Sequence, residues 1–289
     1  MIRINSDLKK VVGREFSEFW LHLLYNCNLS CNHCLFSCSS EREGESVLTF
    51  GECRDYISAA LDLGIDSVYL TGGEPLMWPD LEDFVTWYYE QNRVVPLTIL
   101  TNGTLIDRGK ANFFSQYSSR GLNIRVSLEC YTESTHDQYR GDRSFQGAVK
   151  GIKHLNSNGI FPWIAFVNKS GGDLETGSAS ELEQNFRERL KHDFEAQIAG
   201  LKIIAAYSKG RFRGRVEHQI CPEQLSCRLN SVQCNYTLAA SKEGIYPCPI
   251  LVDVPEAKMA EQLAEAAAKD LFLNYASCNS CFATGTSCG

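Results

Sequence analysis

Four cysteines, Cys27, Cys31, Cys34 and Cys38, fall within twelve residues, and the first three have the spacing C-x3-C-x2-C. A loop with that spacing can wrap three thiolates around one compact centre. A cubane iron–sulfur cluster has four irons, so three cysteines leave one iron without a protein ligand. That open iron is where a substrate or cofactor can coordinate. The competing reading is a zinc loop, because Cys31-x2-Cys34 is also half of a common zinc site. A second element bears on the choice. Thr71-Gly72-Gly73-Glu74-Pro75 ends an apolar, β-branched run. Its two glycines let the backbone approach a ligand closely, and a carboxylate or backbone carbonyl there can accept from an ammonium group. A zinc loop requires no such element.

The chain has thirteen cysteines in 289 residues. Seven more, Cys221, Cys227, Cys234, Cys248, Cys278, Cys281 and Cys288, fill the last 69 residues, and only Cys53 and Cys130 stand alone. A disulfide framework spreads half-cystines through a small secreted domain, whereas two separate blocks point to metal or iron–sulfur ligation in a reducing compartment. Cys53 shares a helical face with Phe50, Tyr56, Ile57 and Ala60, which suits core packing. Cys38 is either a spare hydrophobe or a thiol near the cluster, and Cys130 follows a strand end where a substrate would lie.

With 44% hydrophobic residues the chain can bury one large domain plus a small appendix, which excludes a disordered or fibrous protein. The net charge of −7, with no basic run beyond the loose cluster Lys209, Arg211, Arg213 and Arg215, argues against a nucleic-acid footprint. No 18-residue uncharged apolar stretch occurs, and the polar start from Met1 to Asp7 lacks a signal-peptide core, so the expectation is a soluble, cytoplasmic protein without a membrane partner.

Strand-like runs at 19–25, 67–71, 96–101, 122–128, 160–168 and 200–207 alternate with helical patterns at 49–64, 80–93, 107–119, 145–157 and 178–196. Thr49-Phe50-Gly51-Glu52 is a capping box at the first helix start. Strict alternation predicts an α/β fold with a parallel sheet, doubly wound or curled into a partial barrel, with ligands at the carboxyl ends of its strands. The Gly/Ser-rich stretch 169–180 reads as a loop. After about Gly214 the alternation stops, leaving one alanine-rich helical pattern at 255–271 and strand candidates at 235–240 and 245–247.

On Cys27, Cys31, Cys34 and the Gly-Gly-Glu element, the sequence resembles the radical S-adenosylmethionine (radical SAM) superfamily. That signature follows the first strand of a partial barrel and has an aromatic residue just before the third cysteine, a place taken here by His33. The likeness covers residues 17 to about 215. It implies a partial (β/α)6 barrel over 1–214 with a small cysteine-rich C-terminal extension over 215–289. It also implies a [4Fe-4S] cluster on Cys27, Cys31 and Cys34, with S-adenosylmethionine on the open iron. Gly72, Gly73 and Glu74 would hold the amino group of its methionine moiety. Thr101-Asn102-Gly103-Thr104 and Val126-Ser127-Leu128-Glu129 close two further strands, and the resemblance nominates Asn102 and Ser127 as contacts to ribose and carboxylate. In His136-Asp137-Gln138-Tyr139-Arg140-Gly141, Arg140 pairs with the cofactor carboxylate or, with His136, belongs to a solvated helix or loop.

The tail pattern Cys227-x6-Cys234-x9-Gly244-x3-Cys248, then Cys278-x2-Cys281-x6-Cys288, resembles the SPASM and twitch extensions that carry auxiliary iron–sulfur clusters. It has one residue fewer after the glycine than the longer, two-cluster form. The expectation is one auxiliary cluster, on Cys227, Cys234, Cys248 and one or more of Cys278, Cys281 and Cys288, with two clusters or zinc as alternatives. A surplus thiol such as Cys221 or Cys288 either idles or donates a hydrogen atom. The resemblance further implies a reducing donor of flavodoxin or ferredoxin type and a hydrogen-abstracting enzyme. A ribosomally made peptide is the expected substrate, with small-molecule dehydrogenation as the alternative. Only 26 residues precede Cys27, so a peptide is expected to dock through a separate recognition protein, the sheet edge or loop 169–180. An iron–sulfur electron-transfer or assembly protein is the reading from another class.

Overall fold

Parallel strands buried on both faces are continuous apolar runs, and each run needs a layer on either side. A computed structural model describes residues 10–11, 14–169, 177–216, 232–272, 275–285 and 288–289. In chain order its strands are β1 (Lys10–Val11), β2 (Glu18–His22), β3 (Ser67–Thr71), β4 (Leu97–Thr101), β5 (Leu122–Ser127), β6 (Trp163–Asn168), β7 (Gly200–Ala205), β8 (Thr237–Ser241), β9 (Gly244–Tyr246) and β10 (Leu271–Phe272). The helices are α1 (Phe50–Asp62), α2 (Leu81–Glu90), α3 (Arg108–Ser118), α4 (Glu133–Arg140), α5 (Ser144–Ser157), α6 (Ala179–Phe194), α7 (Leu263–Ala268) and α8 (Ala276–Thr284).

One sheet runs β7-β6-β5-β4-β3-β2-β8-β9, parallel from β7 through β8 and antiparallel at the β8–β9 hairpin. Six of these strands, β2 to β7, are the expected partial barrel. Alternate residues take opposite sides. Phe19, Leu21, Val68, Leu70, Leu97, Ile99, Ile124 and Val126 pack into the larger core with the helices. Trp20, Tyr69 and Ala205 face a second core built with tail residues Val232, Cys234, Cys248, Ile250, Leu251 and Phe282. Trp20 and Tyr69, directly opposite in register, stack at 4.2 Å. The tail therefore covers the inner face of the sheet and extends it beside β2.

The start of α1 is read correctly from its cap. Thr49 Oγ1 accepts from the Glu52 N–H while Glu52 accepts from the Thr49 N–H, and Ser178 and Glu181 repeat the device on α6. Elsewhere tertiary contacts redraw the expected bounds. β2 stops at His22, short of the expected Tyr25, although Leu23 still donates to Thr71 O and accepts from Leu48 N–H. The alanine-rich run at 255–271 is helical only over Leu263–Ala268. Pro255 opens a separate 3-10 turn, and Met259 and Ala260 pair with Ile245 of β9, so backbone pairing overrides alanine propensity. Residues 170–176 of the expected loop, and Cys221 and Cys227, lie outside the described residues. Among the described residues no helix is long and apolar enough to cross a membrane.

Candidate active site

The cysteine loop lies where the carboxyl ends of the strands converge, and backbone contacts hold it on several sides. Gly73 N–H donates to Leu24 O (2.7 Å), Glu74 N–H to Asn26 O (2.9 Å), and Tyr139 O accepts from Asn32 N–H (2.9 Å). A Cβ on Gly73 would lie 2.1 Å from Asn26 O, so this close approach admits only glycine. Arg211, beyond β7, grips the loop from below. Its Nε donates to Cys31 O (2.7 Å), its Nη2 to Cys38 O (2.6 Å) and its backbone N–H to Cys34 O (3.1 Å). The preceding Gly210 has φ +56°, and a Cβ there would lie 2.3 Å from Cys34 O.

Cys27, Cys31 and Cys34 line one cavity of about 210 Å³ together with His33, Gly72, Gly73, Asn102, Ser127 and Arg140. The residues expected to hold the first cluster and S-adenosylmethionine therefore line one cavity, with a single departure. Glu74 is fully buried behind that wall. One carboxylate oxygen accepts from Leu76 N–H (3.0 Å) and the Thr101 hydroxyl (2.7 Å), the other from Asn102 N–H (2.8 Å). Burial raises its carboxyl above the usual range against these donors. Glu74 thus knits the ends of β3 and β4 together.

The donor set suits an iron–sulfur cluster, since each sulfur has an N–H nearby. Leu29 N–H lies 3.4 Å from Cys27 Sγ, Cys38 N–H 3.4 Å from Cys34 Sγ, and Arg140 Nη1 3.9 Å from Cys31 Sγ. Burial pushes the Cys27 thiol up to about 12, whereas a hydrogen bond from Cys38 brings Cys34 down from the ordinary thiol value. Among the described residues no three His, Cys, Asp or Glu groups converge on one ion-sized point. His33 Nδ1, buried on the cavity wall, has no protein partner.

Two buried residues beyond the expected contacts complete the site. Glu129, two positions beyond Ser127, is buried and accepts from Arg140, His33 and Lys169. Burial would raise its carboxyl, but His33, Arg140 and Lys169 hold it well below the usual carboxylate range. The signal available in the sequence was an acid at the carboxyl end of a parallel strand. His136 is buried on α4, where Nδ1 accepts from Glu129 N–H (3.0 Å). That rules out the solvated reading for both His136 and Arg140.

In the tail, Cys234, Cys248, Cys278 and Cys281 line a second, smaller cavity with Val232, Leu251 and Leu271. Cys278 and Cys281 lie one turn apart on α8, and burial pushes Cys234 up to about 12. Cys288 is placed elsewhere, on the wall of the larger cavity. Ile250 lines both cavities.

Residues 21–171, just over half of the chain, match the family model for the Radical SAM superfamily. The chain belongs to the radical SAM superfamily. Membership implies an enzyme that uses a [4Fe-4S] cluster and S-adenosylmethionine. This radical SAM chain is 31% identical over 172 residues to Fe-coproporphyrin III synthase of Methanosarcina barkeri, which covers 58% of this chain and 40% of that protein. It is 31% identical over 138 residues to mycofactocin maturase MftC of Mycobacterium tuberculosis, covering 48% and 34%. It spans about half or less of the length of these and of the GTP 3′,8-cyclases it also matches. Streptococcus suis SuiB bound to S-adenosylmethionine shares the fold at TM-score 0.63 and 16% identity, over 87% of this chain and 64% of that one. anSMEcpe with bound AdoMet does so at 0.60 and 15%, over 88% and 80%.

Proposed function

We propose that this radical SAM enzyme modifies a ribosomally made peptide, with a catalytic cluster on Cys27, Cys31 and Cys34 and an auxiliary cluster of SPASM or twitch type in the tail. The observation that carries the site assignment is the shared cavity: three thiols, Gly72, Gly73 and Arg140 all line it. The cluster, when bound, supplies the electron that cleaves S-adenosylmethionine to methionine and a 5′-deoxyadenosyl radical, which takes a hydrogen atom from the substrate.

The chain's own groups bind and orient. The Gly72-Gly73 backbone receives the amino group of the methionine moiety, and Glu74 acts from behind as a positioning residue by fixing Asn102 and Thr101. Arg140 meets the carboxylate while Glu129 holds its guanidinium in place. His33 Nδ1, unpartnered on the wall, offers a polar contact to the nucleoside, and Ser127 and Asn102 stand at the strand ends beside it. Trp20, Leu35, Phe36, Leu100 and Ile204 make the remaining wall apolar, which excludes water and competing hydrogen donors. Cys234, Cys248, Cys278 and Cys281, which line one cavity, would supply four thiolates to the auxiliary cluster.

A peptide substrate is supported by the maturase among the relatives and by the fold shared with SuiB, which has been seen bound to precursor peptide SuiA. A flavodoxin- or ferredoxin-type donor would supply electrons, and a separate recognition protein would deliver the peptide. Anaerobic reconstitution with iron and sulfide, followed by assay for 5′-deoxyadenosine with reductant, tests the chemistry: clusters without product sink it. Replacing Cys27, Cys31 and Cys34 by Ala should abolish the product and remove about four irons. Loss of about eight would overturn two independent clusters. A deuterated candidate peptide that neither transfers deuterium into 5′-deoxyadenosine nor changes mass counts against the peptide reading.

A further inference from the structure

One five-residue segment beyond β7 touches both cysteine blocks. Gly210 and Arg211 grip the Cys31–Cys38 loop, Lys209 Nζ donates to Ile250 O (2.7 Å) and pairs with Asp253, and Tyr207 reaches the tail thiols. Tyr207 is buried on the wall of the larger cavity, with its hydroxyl 3.0 Å from Cys281 Sγ and 3.8 Å from Cys288 Sγ. Cys281 belongs to the smaller cavity and Cys288 to the larger, so a single phenol spans the wall between them. Cys288 is pinned there through its backbone. Its carbonyl accepts from Arg125 Nη1 (2.6 Å), and its N–H donates to Gln233 Oε1 (2.9 Å).

We propose that Tyr207 is a positioning residue that donates its hydroxyl hydrogen to the Cys281 thiolate, raises the reduction potential of the auxiliary cluster, and ties that cluster to the Cys288 thiol in the S-adenosylmethionine cavity. This rests on the reading of Cys234, Cys248, Cys278 and Cys281 as a cluster site. A metal-bound thiolate has no proton to give, so the phenol must be the donor. The reduced cluster carries one more negative charge than the oxidised one, and a hydrogen bond to a ligating sulfur favours the more negative state. The same hydroxyl cannot move toward Cys288 without loosening its bond to Cys281, so a change at either sulfur is felt at the other.

The test is an anaerobic potentiometric titration of the reconstituted full chain, followed by electron paramagnetic resonance, with the auxiliary signal assigned in the variant carrying Ala at positions 27, 31 and 34. Tyr207→Phe should keep the parent's iron content and lower the auxiliary midpoint potential. Incorporating 3-fluorotyrosine at position 207, which strengthens the donor at nearly constant volume, should raise it, and this arm stands if Tyr207→Phe fails to fold. Cys288→Ala should retain the auxiliary iron, because Cys288 is not a ligand. A midpoint unmoved by both tyrosine changes, with iron intact, overturns the proposal, as does loss of the auxiliary iron in Cys288→Ala. Absence of iron from the triple-alanine chain would overturn the underlying auxiliary-cluster reading instead.

Discussion

Arg140 places both Nε (3.0 Å) and Nη2 (2.7 Å) on one carboxylate oxygen of Glu129, while Lys169 takes the other oxygen and His33 Nε2 joins the first at 3.0 Å. A carboxylate so surrounded is less a ligand contact than a clamp on Arg140, which lines the cavity, and on Lys169. It fixes where positive charge sits beside Cys31, whose sulfur is 3.9 Å from Arg140 Nη1.

Removing the clamp leaves buried cations unpaired, so Glu129→Gln should destabilise the protein by about 3–5 kcal/mol, read from urea unfolding. A loss under about 1 kcal/mol would refute it. The pH dependence has a definite sign. The folded-state value of Glu129 lies well below the ordinary carboxylate range, so its contribution is complete above about pH 4.3 and is lost as pH falls through the lowered value. Acid titration of stability should therefore be shallower in Glu129→Gln below about pH 4 than in the parent.

Gly73→Ala tests whether the glycine pair serves the loop as well as the ligand. The added Cβ meets backbone at Asn26 O, and no side-chain rotation relieves that contact. We expect a loss of about 2–3 kcal/mol together with lower iron uptake on Cys27, Cys31 and Cys34, measured by unfolding and by iron assay of the reconstituted chain. Unchanged stability would show that the loop can yield there.

Arg211→Ala removes two charged hydrogen bonds, to Cys31 O and Cys38 O, while its backbone bond to Cys34 O can persist. Each such bond is worth about 1.5–3 kcal/mol, which makes Arg211 a strong determinant of loop geometry. The expected result is iron falling from about eight per chain toward about four, with the tail cluster retained. Arg211→Lys, which lacks the planar fork, should not restore it. Full iron in the alanine variant would contradict the assignment.

The cysteine-bearing carboxyl end of the sheet was legible because its cues are local. The cysteine spacing, the Thr71-to-Pro75 turn and the Thr49 capping box each depend on residues close in sequence. What escaped was set by distance along the chain. Lys169 pairs with Glu129 from 40 residues away and Arg211 reaches Cys31 from 180, and no motif joins them. The tail shows the same division. Its strand candidates at 235–240 and 245–247 became the β8–β9 hairpin, but its pairing with β2, the short α7 and the thiol-bearing α8 arise from packing against the inner face of the barrel.

That packing sets the last expectation, about metal removal. The four tail thiols come from three separate segments, the turn at Gln233–Asn235, the end of the β8–β9 hairpin and α8, and burial disfavours thiolate at Cys234, Cys248 and Cys281 unless a cation compensates. On the proposed reading a bound cluster would supply that compensation, and its binding free energy would in part be folding free energy of the tail. Chelating iron from the reconstituted chain should speed backbone hydrogen exchange in α8 and β8–β9, while α1 and β3, packed in the helix-side core, change little. Cys278→Ser with Cys281→Ser should reproduce the pattern without chelator and leave 5′-deoxyadenosine formation measurable. Uniform loosening of the whole chain, with α1 exchanging as fast as α8, would show that the tail does not depend on its own metal.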